Sequence, residues 1–176
     1  EYGIGPERLR QRGTSAHSTL SINGQNSSEI WSGFRVGRRA VPVDVSITND
    51  HDTFLVSAGH TGYRYLTGAP THYRTWFLDQ ENLKVVDKVL GRGHVNIQSW
   101  LHLGEGIKAK LLRPGKIEIF DERKIRIATI TFKGSEVRII KSSWNPEFGI
   151  RLETEAIYIS TKKSLPHSLQ FIIQWE

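Results

Sequence analysis

Apolar and polar residues alternate with a period of two along most of this chain, and that alternation restricts it to β-strands. Val41, Val43, Val45 and Ile47 alternate with Pro42, Asp44, Ser46 and Thr48. The same pattern runs through Ile117 and Ile119, Ile125 and Ile127, and Val137 and Ile139. Shorter β-rich runs cover 54–56, 75–78, 83–89 and 169–173. Turn signals separate them: Asn23-Gly24, Asn49-Asp50, Gly68-Ala69-Pro70, Gly91-Arg92-Gly93, Arg113-Pro114-Gly115 and Lys133-Gly134-Ser135. Short strands with turns every ~8–12 residues predict an all-β chain, an antiparallel β-sandwich of stacked sheets. The only helical candidate is a short one over 27–31, where Ser27 or Ser28 would cap and Glu29 would lie in the first turn. No internal repeat, low-complexity segment or linker divides the chain, so residues 1–176 read as one domain.

Composition narrows the function. There are 176 residues, none of them cysteine, which removes disulfides, thiol catalysis and cysteine metal sites. No apolar run approaches the ~20 residues of a membrane span. The net charge of +6 favours polyanionic partners, acidic polysaccharide or nucleic acid. Arg35, Arg38 and Arg39 form the densest basic cluster. The sequence starts at Glu1 rather than Met, with no signal peptide, so an export signal and further domains are expected in a preceding part.

Residues 12–40 read RGTSAHSTLSINGQNSSEIWSGFRVGRRA. This stretch resembles the heparinase II/III-like polysaccharide lyases, in which an Arg-Ser-Thr-x-Ala-His-Asn-Thr element leads through a strand into an Asp-Gly-Gln-x-Gln-Ser-Glu turn and on into Trp-x-x-Phe-Arg-x-Gly-Arg-Arg-Ala. The likeness rests on Arg12, Thr14, Ala16, His17, Thr19, Gly24, Gln25, Ser28, Glu29, Trp31, Phe34, Arg35, Gly37, Arg38, Arg39 and Ala40; Ser18 and Asn23 depart from it mildly. His60-Thr61-Gly62-Tyr63, His72-Tyr73-Arg74, Val86-Asp87-Lys88-Val89, Leu101-His102-Leu103, Trp144 to Gly149 and Leu165-Pro166 look like later elements of the same family, in order. The resemblance implies an (α/α) helical toroid before this β domain, with the active site between the two. It also implies a periplasmic or secreted protein.

A lyase of this kind cleaves a uronate-containing polymer by β-elimination. A base removes the proton beside the carboxylate, an acid assists the leaving glycosidic oxygen, and the carboxylate charge must be neutralised. The resemblance places most of those groups on the toroid. For this chain it singles out His17, either as a catalytic residue at the cleft or as ligand to a structural zinc. The position two before it, a catalytic histidine in some members, is Ser15 here. A zinc site would need imidazoles and a carboxylate converging from different strands, for which His17, Glu29 and His60 are the set, with Asp44 as rival acid.

Substrate binding has its own candidates. His72 and Arg74 are two apart, so a strand presents them on one face, where they would hold a sulfate or carboxylate. Tyr63, Tyr65 and Tyr73 would stack on sugar rings, against the simpler role of packing. Arg35, Arg38 and Arg39 would grip a polyanion, against a solvated face. His102 reads as packing beside Trp100, and the five tryptophans as core.

Three functions compete: a lyase domain sharing its site with the toroid, a non-catalytic carbohydrate- or polyanion-binding domain, and a nucleic-acid-binding domain. The last lacks a major-groove helix and an aromatic RNA-stacking motif. An acidic polysaccharide and the chain's own toroid are the expected partners, with no nucleic acid and no membrane span.

Overall fold

The computed structural model describes residues 3–176. After a short helix, α1 (Pro6–Arg12), and a 3-10 turn (Thr14–Ala16), the order is β1 (Leu20–Ile22), β2 (Ile30–Trp31), β3 (Arg35–Val36), β4 (Pro42–Asp50), β5 (Thr53–His60), β6 (Thr71–Leu78) and β7 (Asn82–Leu90). Then come β8 (His94–His102), β9 (Lys108–Arg113), β10 (Lys116–Phe120), β11 (Arg126–Phe132), β12 (Val137–Trp144), β13 (Leu152–Ser164) and β14 (His167–Trp175).

These strands form two stacked sheets and one small hairpin. The larger sheet runs β4-β5-β6-β7-β14-β11-β10-β9, the smaller β1-β8-β13-β12, and β2 pairs only with β3. All these pairings are antiparallel. The expected all-β sandwich of stacked antiparallel sheets is what forms.

Parity along the strands sends one set of side chains between the sheets. Val85, Ile117, Ile119, Ala128, Ile130, Phe132 and Phe171 of the large sheet meet Val137, Ile157 and Ile159 of the small one. A second cluster continues the layer with Leu20, Ile22, Tyr63, Val89, Val95, Ile97 and Leu169. The small sheet therefore covers the middle and the β9 side of the large sheet.

The strands β4 and β5 overhang it. Val45 and Ile47 alternate as expected but stay 61% and 65% exposed, since no second layer reaches them. A bulge between Val43 and Ser46, with Asp44 at φ 51°, breaks their register.

Two expectations fail locally. Residues 27–31 form no helix, because Ile30 and Trp31 pair with Val36 and Arg35. The helix lies earlier, at α1, with Pro6 in its first turn beside Glu7 and with Arg10 and Arg12 in the last. Most of the tryptophans are not core: Trp31, Trp144 and Trp175 are exposed and Trp100 is half-buried, whereas half-buried Trp76 packs against the core cluster.

Candidate functional site

The 3-10 turn carries the motif that the sequence singles out. Thr14 is buried, and its backbone N–H donates to the Asn26 side-chain oxygen at 2.8 Å. Its hydroxyl accepts the Ser27 N–H at 2.9 Å, and Ser28 accepts the Ala40 N–H at 2.9 Å. Several motif residues thus act as clamps between loops. His17 is different. It is exposed, and its ring makes no hydrogen bond or ion pair among the described residues.

The segment behind His17 is fixed to both sheets. Ser18 accepts the His102 N–H on its hydroxyl at 3.0 Å, and its carbonyl accepts an N–H of Arg74. The Thr19 carbonyl accepts the Trp100 N–H at 3.0 Å.

A chain of polar groups in the interlayer holds Arg74 in turn. His60 and His72 face each other across β5 and β6, and Arg74 faces Asp87 across β6 and β7. Gly62 N–H donates to His60 Nδ1 at 3.2 Å, which leaves the proton of neutral His60 on Nε2. That N–H donates to His72 Nδ1 at 3.1 Å, and His72 Nε2–H donates to Asp87 Oδ1 at 2.6 Å. Arg74 completes the set with two bonds to the Asp87 carboxylate, at 2.7 and 2.8 Å.

Asp87 and His72 are only 2% and 3% exposed. Burial works to raise the Asp87 carboxyl, but the His72 hydrogen bond and the Arg74 charge outweigh it and hold it at about 2. Burial, then the nearby His72 and Arg74, lowers His60 to about 4.

These contacts reassign most of the expected binding residues. His72 and Arg74 do share a face, but Asp87 occupies both, so neither is presented to a ligand. Tyr63 is fully buried and its hydroxyl donates to the Leu20 carbonyl at 2.9 Å, which makes it a core residue instead of a sugar platform. Arg35 and Arg38 diverge: Arg35 lies over Trp31 at 5.1 Å, and half-buried Arg38 over Tyr65 at 3.4 Å. Arg39 is exposed nearby.

The expected zinc set does not fit either. Both His60 nitrogens are engaged, Glu29 lies against Gly37 and the Arg38 N–H, and the rival Asp44 takes the Tyr73 hydroxyl at 2.8 Å. Among the described residues no three His, Asp or Glu side chains gather as a metal would require.

The sequence reading missed a groove of about 840 Å³ on the outer face of the small sheet. Ser15, two residues before His17, lines it together with Arg10, Trp100, His102, Lys108, Lys141, Ser142, Arg151 and Thr154. His102, read as packing, bonds Ser15 and Ser142 here and lies close enough to His17 for their charges to interact. Even-numbered parity of Trp100 and His102 on β8 was the only signal in the sequence, and it does not say which sheet face is open.

What the fold and this surface define is an all-β sandwich domain with an exposed imidazole, His17, two residues from the lining of a groove. The chain belongs to the heparinase II/III-like C-terminal domain family, whose model matches residues 2–176. Among solved structures it is similar to the heparan sulfate lyase HepC of Pedobacter heparinus, at 14% identity and a TM-score of 0.76, over 96% of this chain and 25% of that one. It is also similar to a heparinase III, at 18% identity and a TM-score of 0.67, over 96% of this chain and 25% of that one. At these identities the likeness establishes the fold, and the chain spans about a quarter of the length of those lyases. No curated protein matches it.

Proposed function

We propose that this domain forms one wall of the active-site cleft of a lyase that cleaves acidic, uronate-containing polysaccharide by β-elimination. A helical domain of the complete enzyme supplies the rest of the site. The observation that carries this reading is His17: an exposed imidazole whose ring has no hydrogen-bond or ion-pair partner among the described residues, on a segment anchored to both sheets, two residues from Ser15 in the lining of a groove edged with cations. An imidazole that the fold does not use, held on a rigid mount, is suited to giving or taking a proton at a substrate. Membership of the heparinase II/III-like family supports this reaction class. On this reading the substrate is met in the periplasm or outside the cell.

The test is formation of the unsaturated uronate, read by its ultraviolet absorbance, with the complete enzyme and a panel of uronic polymers. His17→Ala is expected to lower turnover by roughly 10²-fold or more, as loss of a general acid or base does. Full turnover in that variant would remove His17 from the reaction. The 176-residue chain alone is expected to give no absorbance change. A complete enzyme inert on every uronic polymer would leave a non-catalytic polyanion-binding domain, which the groove also accommodates.

A further inference from the structure

The large sheet ends differently at its two edges. At one side β9 carries Lys108, Lys110 and Arg113, all exposed, and the Glu155 carboxylate takes the Ala109 N–H at 2.9 Å. Charged side chains and a capped N–H keep another strand from adding there. At the other side β4 carries no lysine or arginine from Pro42 to Asp50. Pro42 and the bulge after Val43 blunt only its first half. Along the rest of this edge, alternate backbone N–H and C=O groups face away from β5 with no strand to pair with.

The face beside that edge is apolar. Directly opposite residues of neighbouring strands share a face, which puts Ile47, Val56, Trp76 and the core residue Val85 in one row and Phe54 and Leu78 in the next. Val45 precedes Ile47 by two and joins them. Val45, Ile47, Phe54 and Leu78 are exposed, and Val56 and Trp76 half-buried, because the small sheet stops short of them. Single exposed apolar residues mean little, but a contiguous patch running from the core out to a bare edge marks an interaction surface.

The two ends of β4 are oppositely charged. Asp50 and Asp52 stand at the β4–β5 turn, where Asp52 accepts an N–H of Gln80 from the β6–β7 turn at 3.2 Å. Arg38 and Arg39 lead into the start of the strand. Arg38 lies over Tyr65, which leaves Arg39 as the exposed cation. Arg39, Asp50 and Asp52 have no ion pair among the described residues. A strand that is basic before one end and acidic at the other complements its own antiparallel copy.

We propose that a second copy of this chain docks along β4, antiparallel, about a two-fold axis near Ser46. That axis sets Val45 of each copy opposite Ile47 of the other, and brings the acidic turn of each beside Arg39 of the other. Asp44 adds no repulsion at the centre, since it points to the opposite face and holds the Tyr73 hydroxyl at 2.8 Å. The bulge shortens the backbone ladder, so the apolar side chains carry much of the contact. Because one edge serves both copies, the pair closes and offers no edge to a third. Dimerisation is measured without a substrate, so it stands or falls apart from the lyase reading.

Sedimentation velocity of the 176-residue chain tests it. A dimer is expected at roughly 100 µM protein, as for a small, reversible interface. Ile47→Lys is expected to weaken dimerisation at least about tenfold at an unchanged melting temperature, since the exposed Ile47 side chain lies outside the core. Arg39→Glu is expected to weaken it about threefold, and Arg39→Glu with Asp50→Lys in one chain to restore it, because the axis pairs the two positions in both directions. Leu112→Lys, on exposed β9, is expected to dimerise as wild type.

A chain that stays monomeric would overturn the proposal and leave the apolar face to a different partner. A dimer untouched by Ile47→Lys, or one that Leu112→Lys dissociates, would overturn its placement on β4. Failure of the double charge reversal to restore what Arg39→Glu weakens would overturn the antiparallel arrangement.

Discussion

Asp87 is a carboxylate on the apolar face of a strand, in line with Val85 and Val89. A buried charge survives only with partners, and His72 and Arg74 supply them. His60 closes the far end of this chain of groups, and its low proton affinity has a stability consequence. Unfolded histidine takes its proton near pH 6.5, whereas folded His60 waits until about pH 4. Between those values the unfolded state binds more protons, so stability falls as the pH drops through that window, and above it this contribution is complete. The melting temperature is therefore expected to fall from pH 6.5 to pH 4, less steeply in His60→Gln. His102 and His167 are also held low by burial, but both proteins retain them, so the comparison isolates His60. Superimposable pH profiles would remove His60 from the account. This network was half legible in the sequence. An acid among valines of one parity announces a need for partners, but only the pairing of β6 with β7 shows that His72 and Arg74 are those partners. The same blindness made them look like ligand-binding residues.

At the scale of elements, alternation was a good guide to strands and a poor one to layers. It located β4, yet Val45 and Ile47 are exposed because that end of the large sheet has no facing sheet. It passed over α1, whose seven residues are too few to show a helical period. Turns were easier, because their residues answer a local demand. Gly68 has φ +85°, and a Cβ there would lie 2.0 Å from the Arg92 carbonyl oxygen. Its own carbonyl accepts the Arg92 N–H at 3.0 Å, which joins the turn before β6 to the turn before β8. Both clashing groups are backbone, so neither can swing away. Gly68→Ala is expected to lower unfolding stability by more than ~1 kcal/mol, read as a lower urea midpoint at unchanged slope. A wild-type midpoint would show that the two turns can part freely. The groove was not legible at this scale either, since Ser142 and Thr154 lie on strands whose outer face only the assembled sheet defines.

For the whole molecule, the 24 basic and 18 acidic side chains leave a surplus of six positive charges. Part of the basic charge is neutralised locally, as in Arg126 with Glu118 and Glu176 and Arg123 with Asp121. The remainder, Lys141 and exposed Arg39 among it, gives a general attraction for polyanions. Affinity for an acidic polysaccharide is thus expected to weaken steeply between about 0.1 M and 1 M salt, as the screening length contracts from ~10 Å to ~3 Å. Salt-independent affinity, measured by calorimetric titration, would count against charge as the source of binding.

Ser18 gives the architecture a further meaning. One side of this residue belongs to the small sheet through His102, and the other to the large sheet through Arg74. Breathing of the sandwich that parts the layers must first release this keystone. The backbone of the loop that displays His17 is therefore tied to both layers, so the position of that loop follows how the two sheets close.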